Sequence, residues 1–363
     1  MSTLLFFLPL LLIFTIVAVY AERKISAFIQ NRYGPMETGV YGIFQTIADL
    51  LKLLQKEDIV PKAASRRLFL IAPLIIFMAV FVGFAVVPVT PSWQGSSLQT
   101  GVFFLLAIVS LDVIGIIVAG WASNNKYSLL GAIRSASQII SYEVPLTLSI
   151  ICVLVITRTL DLQIISFQQG ILASVEHEKN YLFGLSDLDI ETTKIGGVLT
   201  WNIFRAPILI PVWVVFFIAT LAESNRAPFD LPEAESELVS GFHTEYSGFR
   251  WSIILLAEYG MMLLTALLGV ILFFGSWNTP FPNVGSITLA TWTTGQDGTF
   301  TGTLWAIFWL MSKTAAIVFI QMWVRWTYPR VRVDQLMSLG WKYLTPVILI
   351  LLFFSALWRL MMV

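Results

Sequence analysis

Charged residues are scarce in this chain. Only 12% of its 363 residues are charged, whereas 57% are hydrophobic and 14% are aromatic. A soluble domain carries about 25% charged residues, so the composition argues against a soluble protein. The apolar residues form uninterrupted runs of about 20, the length at which a helix crosses a bilayer. Because the short alternating segments of an outer-membrane barrel are absent, the sequence predicts an all-α polytopic integral membrane protein.

Cysteine and histidine are almost missing. The single Cys152 lies in an apolar run, which excludes an internal disulfide and favours a small buried filler. His177 and His243 are the only histidines, so we expect no metal cluster. The N-terminus lacks the basic region and cleavage site of a signal peptide and is interpreted as a retained first helix. The net charge is zero, and we expect no nucleic-acid partner.

Eight apolar spans are predicted within a single integral membrane domain, residues 1–363. They cover about residues 3–21, 68–88, 101–121, 142–157, 203–222, 251–274, 303–323 and 342–360. The first, third, fifth and seventh connections hold most of the Lys and Arg residues and should face the cytoplasm or the mitochondrial matrix. Residues 158–202 are a candidate extracytoplasmic insertion, and their excess of acidic residues is typical of a solvated loop.

An amphipathic helix is predicted in the first connection. Ile43, Ile47 and Leu50 recur there at helical spacing. The apolar stripe could lie in the membrane interface or cover a cavity from the aqueous side. Asp49 falls close to that stripe.

Ionisable residues fall inside or at the ends of the predicted spans, namely Asp112, Glu143, Glu223, Glu258 and Lys313. Such residues are costly in lipid and are functional candidates by default. Carboxyl groups in a low dielectric can hold and release protons, so a row of them could form a proton path. The alternative is a structural ion pair, for instance of Lys313 with Asp112 or Glu258.

The fifth connection is unusually acidic. It contains Arg226 and six carboxylates: Glu223, Asp230, Glu233, Glu235, Glu237 and Glu245. Pro228 and Pro232 interrupt helical structure there, and the spacing of Glu233 and Glu237 puts them on one helix face. A docking loop for a soluble partner is the alternative interpretation.

Arginines gather on the same side of the membrane, at Arg23, Arg226, Arg325 and Arg330. Arginines and acids around an apolar entrance suit an amphipathic ligand with a polar head and a lipid tail. Contact with phospholipid headgroups is the alternative for each arginine.

Several motifs resemble one family over nearly the whole chain. The first connection contains ERK at Glu22–Lys24, RYGP at Arg32–Pro35 and ADLLK at Ala48–Lys52. Later come GWASNNKYSLLGAIR at Gly120–Arg134, SYEVP at Ser141–Pro145, ESNRAPFDLPEAESELVSGFHTEYSG at Glu223–Gly248, AEY at Ala257–Tyr259 and YPRVRVDQLM at Tyr328–Met337. These segments are similar to the H subunit (subunit 1 in mitochondria) of proton-pumping NADH:quinone oxidoreductase, respiratory complex I.

The resemblance implies eight core transmembrane helices and a quinone chamber at the junction with a peripheral arm. The implied quinone-binding residues are Glu22, Arg23, Asp49, Arg226, Phe229 and Arg325. The implied proton path comprises Glu143, Glu223, Glu233, Glu235, Glu237 and Glu258. Quinone (ubiquinone or menaquinone) would be the substrate, and this chain would hold no flavin, metal or other redox centre and no catalytic residue of its own.

The implied function is that of a subunit of an NADH-oxidising respiratory translocase, coupling quinone reduction to proton translocation. Its partners would be peripheral-arm subunits that complete the quinone site, antiporter-like membrane subunits, and lipid. We expect the bacterial inner membrane rather than the mitochondrial one.

Two other functions remain open. A membrane-anchor subunit of a related ferredoxin- or hydrogen-dependent ion-pumping complex would share the acids, and a stand-alone secondary transporter could use them as cation sites. The absence of an internal repeat argues against the transporter. Two features depart from the family. The connection at residues 158–202 is longer than the family core needs, and Asp112 stands where an uncharged residue is expected.

Overall fold

The computed structural model describes residues 2–174, 180–185, 190–230, 238–283, 288–294 and 298–362. Three predicted proton-path residues, Glu233, Glu235 and Glu237, lie outside this part of the chain. Seven described helices are long and apolar enough to cross a membrane, and Leu209–Glu223 is a shorter apolar helix. The predicted fold class, a polytopic all-α membrane protein, is confirmed.

The elements follow one another in a simple order. The α-helices are α1 (Ser2–Ile29), α2 (Gln45–Gln55), α3 (Arg66–Gly83), α4 (Gly101–Val109), α5 (Leu111–Ala122), α6 (Lys126–Thr157), α7 (Leu162–Phe167), α8 (Thr192–Ile195), α9 (Asn202–Arg205), α10 (Leu209–Glu223), α11 (Gly248–Phe273), α12 (Leu289–Thr293), α13 (Phe300–Thr327), α14 (Val333–Ser338) and α15 (Thr345–Met361).

Short elements complete the described chain. Residues Leu339–Leu344 form a π-helix between α14 and α15. Short 3-10 helices cover Val40–Gly42, Phe84–Val86, Ile171–Ser174, Leu182–Gly184, Val198–Thr200 and Gly241–His243. The strands β1 (Pro88–Thr90) and β2 (Trp93–Gln94) form an antiparallel pair.

Helix α11 forms the centre of the bundle. Almost every residue from Tyr259 to Phe273 is buried, and the helix packs against α1, α3, α10 and α13. A Cβ atom at Gly260 would lie 3.1 Å from Val80 of α3, and one at Gly83 would lie 2.8 Å from Leu264 of α11. Glycine therefore allows these helices to approach closely, as small residues do in membrane bundles.

Helix α10 is shorter than a typical span. Its 15 residues extend about 22 Å at 1.5 Å per residue, whereas the hydrocarbon core is about 30 Å thick. The predicted span 203–222 is divided at Ala206, whose backbone is extended. Ala206 precedes Pro207, and a residue before proline is disfavoured in the helical region.

Part of the segment 158–202 is buried rather than solvated. The Gln169 side chain donates to the Ile271 carbonyl at 2.8 Å, and the Asn202 side chain donates to the Leu272 carbonyl at 2.9 Å. The side-chain oxygen of Gln169 also accepts from the backbone N–H of Gly275 at 2.9 Å. These residues satisfy backbone groups at the carboxyl end of α11, which would otherwise lack partners.

Lys313 binds backbone carbonyls in the same region. Its ammonium donates to Phe274, Ser276 and Asn278 at 2.8, 2.9 and 2.6 Å, which uses all three of its donors. It also lies 4.3 Å from the centre of the Trp201 ring. The alternative of an ion pair of Lys313 with Asp112 or Glu258 is therefore wrong.

Candidate functional site

A buried ionic cluster forms around Glu22 near the end of α1. Its Oε2 accepts a hydrogen bond from the Tyr259 hydroxyl at 2.5 Å and lies 3.4 Å from Nη1 of Arg226. Its Oε1 pairs with Nη1 of Arg325. The cluster thus joins α1, α11, α13 and the connection after α10, and its two guanidiniums face one carboxylate.

Arg226 is enclosed by this cluster. Its guanidinium carbon lies 4.2 Å from the centre of the Tyr259 ring, a cation–π geometry. Burial acts to lower the pKa of Arg226, but Tyr259, Glu22 and Glu258 together raise it above its usual range. Nε and Nη2 of Arg226 have no hydrogen-bond partner among the described residues. Two buried donors are therefore available to a ligand or a water molecule.

A second ion pair lies beside the cluster. Nη1 of Arg23 is 2.6 Å from Oδ2 of Asp49, and Oδ1 of Asp49 accepts from the Gln45 amide at 3.2 Å. Asp49 and Gln45 belong to α2, the amphipathic helix that the sequence predicts. The pair therefore connects α2 to the end of α1, one residue beyond Glu22.

An apolar groove leads to this ion pair. It has a volume of about 600 Å³ and lies between α1, α2, α3 and α11. Most of its lining is aliphatic or aromatic, and its charged lining residues are Arg23 and Asp49. The groove is therefore an apolar channel with a charged end.

Phe229 lies on the other side of the connection, against α6. Its ring centre is 5.5 Å from that of Tyr142, and its carbonyl accepts from the Gln138 amide at 2.7 Å. Gln138 also donates to the Ala222 carbonyl at 2.8 Å. This one buried amide therefore anchors both ends of the turn that carries Arg226.

Asp230 pairs with an arginine beyond α13. Its Oδ2 accepts from Nη2 of Arg330 at 2.9 Å. Burial raises the pKa of the Asp230 carboxyl, although the Arg330 guanidinium opposes that shift. The pair holds the connection after α10 against the connection after α13.

Carboxyl groups surround a small internal cavity. The cavity has a volume of about 20 Å³, and Asp112, Glu223 and Glu258 belong to its lining. Oε1 of Glu258 also lies 3.3 Å from Nε2 of His243. Glu143 of α6 is partly buried and interacts electrostatically with Glu223. The structure thus brings together the three predicted proton-path residues that it describes, Glu143, Glu223 and Glu258.

The predicted quinone-binding residues divide into three groups. Arg226 and Arg325 each pair with Glu22, Arg23 pairs with Asp49, and Phe229 lies against Tyr142. Sequence reasoning missed the roles of Tyr259 and Gln138. The motif AEY placed Tyr259 next to Glu258, but no local pattern showed that its hydroxyl would reach Glu22, which is 237 residues away.

The chain is similar to known proteins along nearly its whole length. The family model described as NADH dehydrogenase matches residues 1–356. The chain is similar to an H subunit, numbered 2, of the NADH-quinone oxidoreductase of Cytophaga hutchinsonii, with 60% identity over 99% of this chain and 98% of the relative. The H subunit of the Chlorobaculum parvum NADH-quinone oxidoreductase is 46% identical over 94% of this chain and 86% of the relative. The corresponding protein of a Geobacillus species is 42% identical over 97% of this chain and 93% of the relative.

Proposed function

Since the chain belongs to the NADH dehydrogenase family, we propose that it is the membrane subunit that receives quinone in a proton-pumping NADH:quinone oxidoreductase. The family assignment made from the motifs is thereby confirmed. The relatives are bacterial, and seven described helices can span a membrane. We place the protein in the bacterial inner membrane, with peripheral-arm and antiporter-like subunits as partners.

The observation that carries the proposal is the apolar groove that ends at Arg23 and Asp49, next to the Glu22 cluster. A quinone has an isoprenoid tail and a head with two carbonyl oxygens. The tail would lie along the aliphatic lining, where its burial is favourable by about 25 cal/mol per Å². The head would move past Arg23 towards the free donors of Arg226, and guanidinium donors suit carbonyl oxygens and their reduced, anionic forms.

The coupling step would begin at the Glu22 cluster. Glu258 interacts electrostatically with Arg226 and Arg325. It is also the residue directly before Tyr259, whose hydroxyl donates a hydrogen bond to Glu22. Reduction places negative charge on the quinone head, which would compete for the two guanidiniums. The attraction between them and Glu258 would weaken, and Glu258 would then take up a proton. Glu223 and Glu143 extend the path from there.

The proposed entry path can be tested by a bulky side chain that fills the groove. Thr15 lines the groove, whereas Ile13, on the same helix, is 61% exposed. In the isolated complex, Thr15→Trp should lower NADH oxidation with a long-tail quinone more than with a short-tail analogue, and Ile13→Trp should leave both rates unchanged. NADH oxidation by a soluble artificial acceptor should be unaffected in both variants. Equal rates with Thr15→Trp and the unmodified chain would contradict the proposed entry path.

The hydrogen- or ferredoxin-dependent alternative is tested by co-purification. An affinity tag on this chain should capture subunits that oxidise NADH. Capture of a nickel–iron hydrogenase instead would overturn the proposed electron donor while leaving the ion-translocating role intact.

A further inference from the structure

The small carboxyl-lined cavity contains one acid that the family motifs do not include. Asp112 lies in the first turn of α5, eight residues before the motif that begins at Gly120. Helices α4 and α5 meet at Ser110, whose backbone is itself helical, and together they form one span, Gly101–Ala122. Asp112 lines a cavity whose other carboxyls, Glu223 and Glu258, come from α10 and α11.

Two oxygens at this cavity have no hydrogen-bond partner in the part of the chain that the structure describes. Oδ1 of Asp112 and Oε2 of Glu223 make no hydrogen bond to any described residue. The two residues are only 7% and 3% exposed. Buried polar atoms without a partner are rare in native proteins and commonly bind an ordered water. The cavity, at about 20 Å³, exceeds the roughly 10–15 Å³ that one water molecule requires.

Among the described residues, none that lines the cavity offers Asp112 a structural ion pair. The other described lining residues are neutral: Ile76, Ile116, Ser224, Asn225, Phe242, Ile254, Ala257 and Met261. Asp112 interacts electrostatically with Glu258, and Glu223 interacts with both Glu143 and Asp112. Outside the lining, His243, Arg226 and Arg325 interact electrostatically with Glu258. Neighbouring carboxylates in a low dielectric repel each other, and this repulsion favours the protonation of one of them.

We propose that Asp112 is a further proton-carrying carboxyl of the path and that, with Glu223 and Glu258, it binds a water molecule in this cavity. The inference rests on the proposed proton-translocating function and adds a residue to it. In each transfer the O–H bond of one protonated carboxyl breaks as its proton passes to the water oxygen. The water releases a different proton to the second carboxylate. One proton moves from acid to acid, and the water is restored.

The experiment uses the complete complex in proteoliposomes and compares Asp112→Asn with Asp112→Glu. Asparagine keeps the size and polarity but cannot carry the proton, whereas glutamate can. A positioned acid accelerates proton transfer by roughly 100-fold or more, so the rate of proton uptake during NADH oxidation should fall at least about tenfold in Asp112→Asn. Asp112→Glu should retain pumping. A residue needed only for packing would tolerate Asn better than the longer Glu. Asp334→Asn, at an exposed acid, is the control.

A second readout is independent of turnover. Redox-induced infrared difference spectra of the unmodified complex should show the carbonyl stretch of a protonated carboxyl, and Asp112→Asn should remove or shift one such band. If Asp112→Asn does not assemble, Asp112→Ser can bind the same water without titrating and should show the same loss. Unchanged pumping together with an unchanged spectrum in the assembled variant would overturn the inference.

Two further variants separate this inference from the function on which it rests. Glu223→Gln and Glu258→Gln should each abolish pumping if the proposed proton path exists. If they do and Asp112→Asn does not, only the role of Asp112 is wrong. If all of these variants pump normally, the proton path itself is wrong.

Discussion

The Glu22 cluster allows a prediction whose size follows from its geometry. Glu22→Gln keeps the shape of the side chain and an acceptor for the Tyr259 hydroxyl, but it removes the charge that faces Arg226 and Arg325. The side chains of Glu22 and Arg226 are each 8% exposed, so bulk solvent compensates little for the lost carboxylate. Breaking a buried ion pair by removing one partner costs about 3–5 kcal/mol.

The cost should lie at the lower end of that range. The Arg325 side chain is 25% exposed, so solvent screens its share of the interaction. We therefore expect Glu22→Gln to destabilise the subunit by about 3 kcal/mol. In a protein of this size that corresponds to a decrease in the thermal midpoint of about 5 °C. The assay is thermal inactivation of quinone reduction in the purified complex, with Glu37→Gln, at an exposed acid, as the control.

A double-mutant cycle then tests the cause. Arg226→Gln alone leaves Glu22 paired with Arg325, and the double variant removes both charges at once. The two effects should not add, because residues in one ionic network couple by about 0.5–3 kcal/mol. Two results would refute the view that this ionic cluster stabilises the site. One is strictly additive effects of the two substitutions. The other is a Glu22→Gln thermal midpoint within about 1 °C of the control, well below the roughly 5 °C expected.

Three other predictions follow from the same contacts and motifs. Arg23→Ala should raise the apparent KM for quinone, because Asp49 loses its partner at the end of the groove; an unchanged KM would favour a lipid-contact role. Lys313→Met should lower the thermal midpoint by several degrees, because three carbonyls lose their hydrogen bonds to a charged donor. Each such bond contributes about 1.5–3 kcal/mol, and the smaller cost of burying methionine offsets part of the loss. Ser312→Ala on the same helix is the control, and equal midpoints would contradict the role of Lys313. Glu237→Gln, outside the described residues, should reduce quinone-linked proton pumping without loss of assembly, and normal pumping would remove Glu237 from the path.

Some features of the candidate site were readable from local sequence. The acidic fifth connection, the amphipathic helix α2 and the embedded acids each have a local signal, namely charge density, helical spacing or an ionisable residue in an apolar run. Those signals identified Arg226, Asp49 and Glu258 as candidates. They did not identify their partners, because contacts between membrane helices join residues far apart in the chain.

Lys313 and Asp112 show why the remainder required the structure. An ammonium in an apolar helix can be satisfied by a carboxylate or by backbone carbonyls, and the sequence left that choice open. The carbonyls at the end of α11 are the ones it binds. Asp112 had no matching motif, and only the packing of α5 against its neighbours showed that it shares a cavity with Glu223 and Glu258.

The sequence by itself determined the membrane class and the family, because hydropathy and motifs are local properties. The side of the membrane on which the polar residues gather stays a prediction from charge bias. The tertiary structure decided which acid faces which arginine, where the apolar groove ends and which carboxyls share a cavity. Those features depend on helix packing, which brings together side chains that lie far apart in the chain, as Glu22 and Tyr259 do. A local pattern contains no record of which distant helix a side chain will meet.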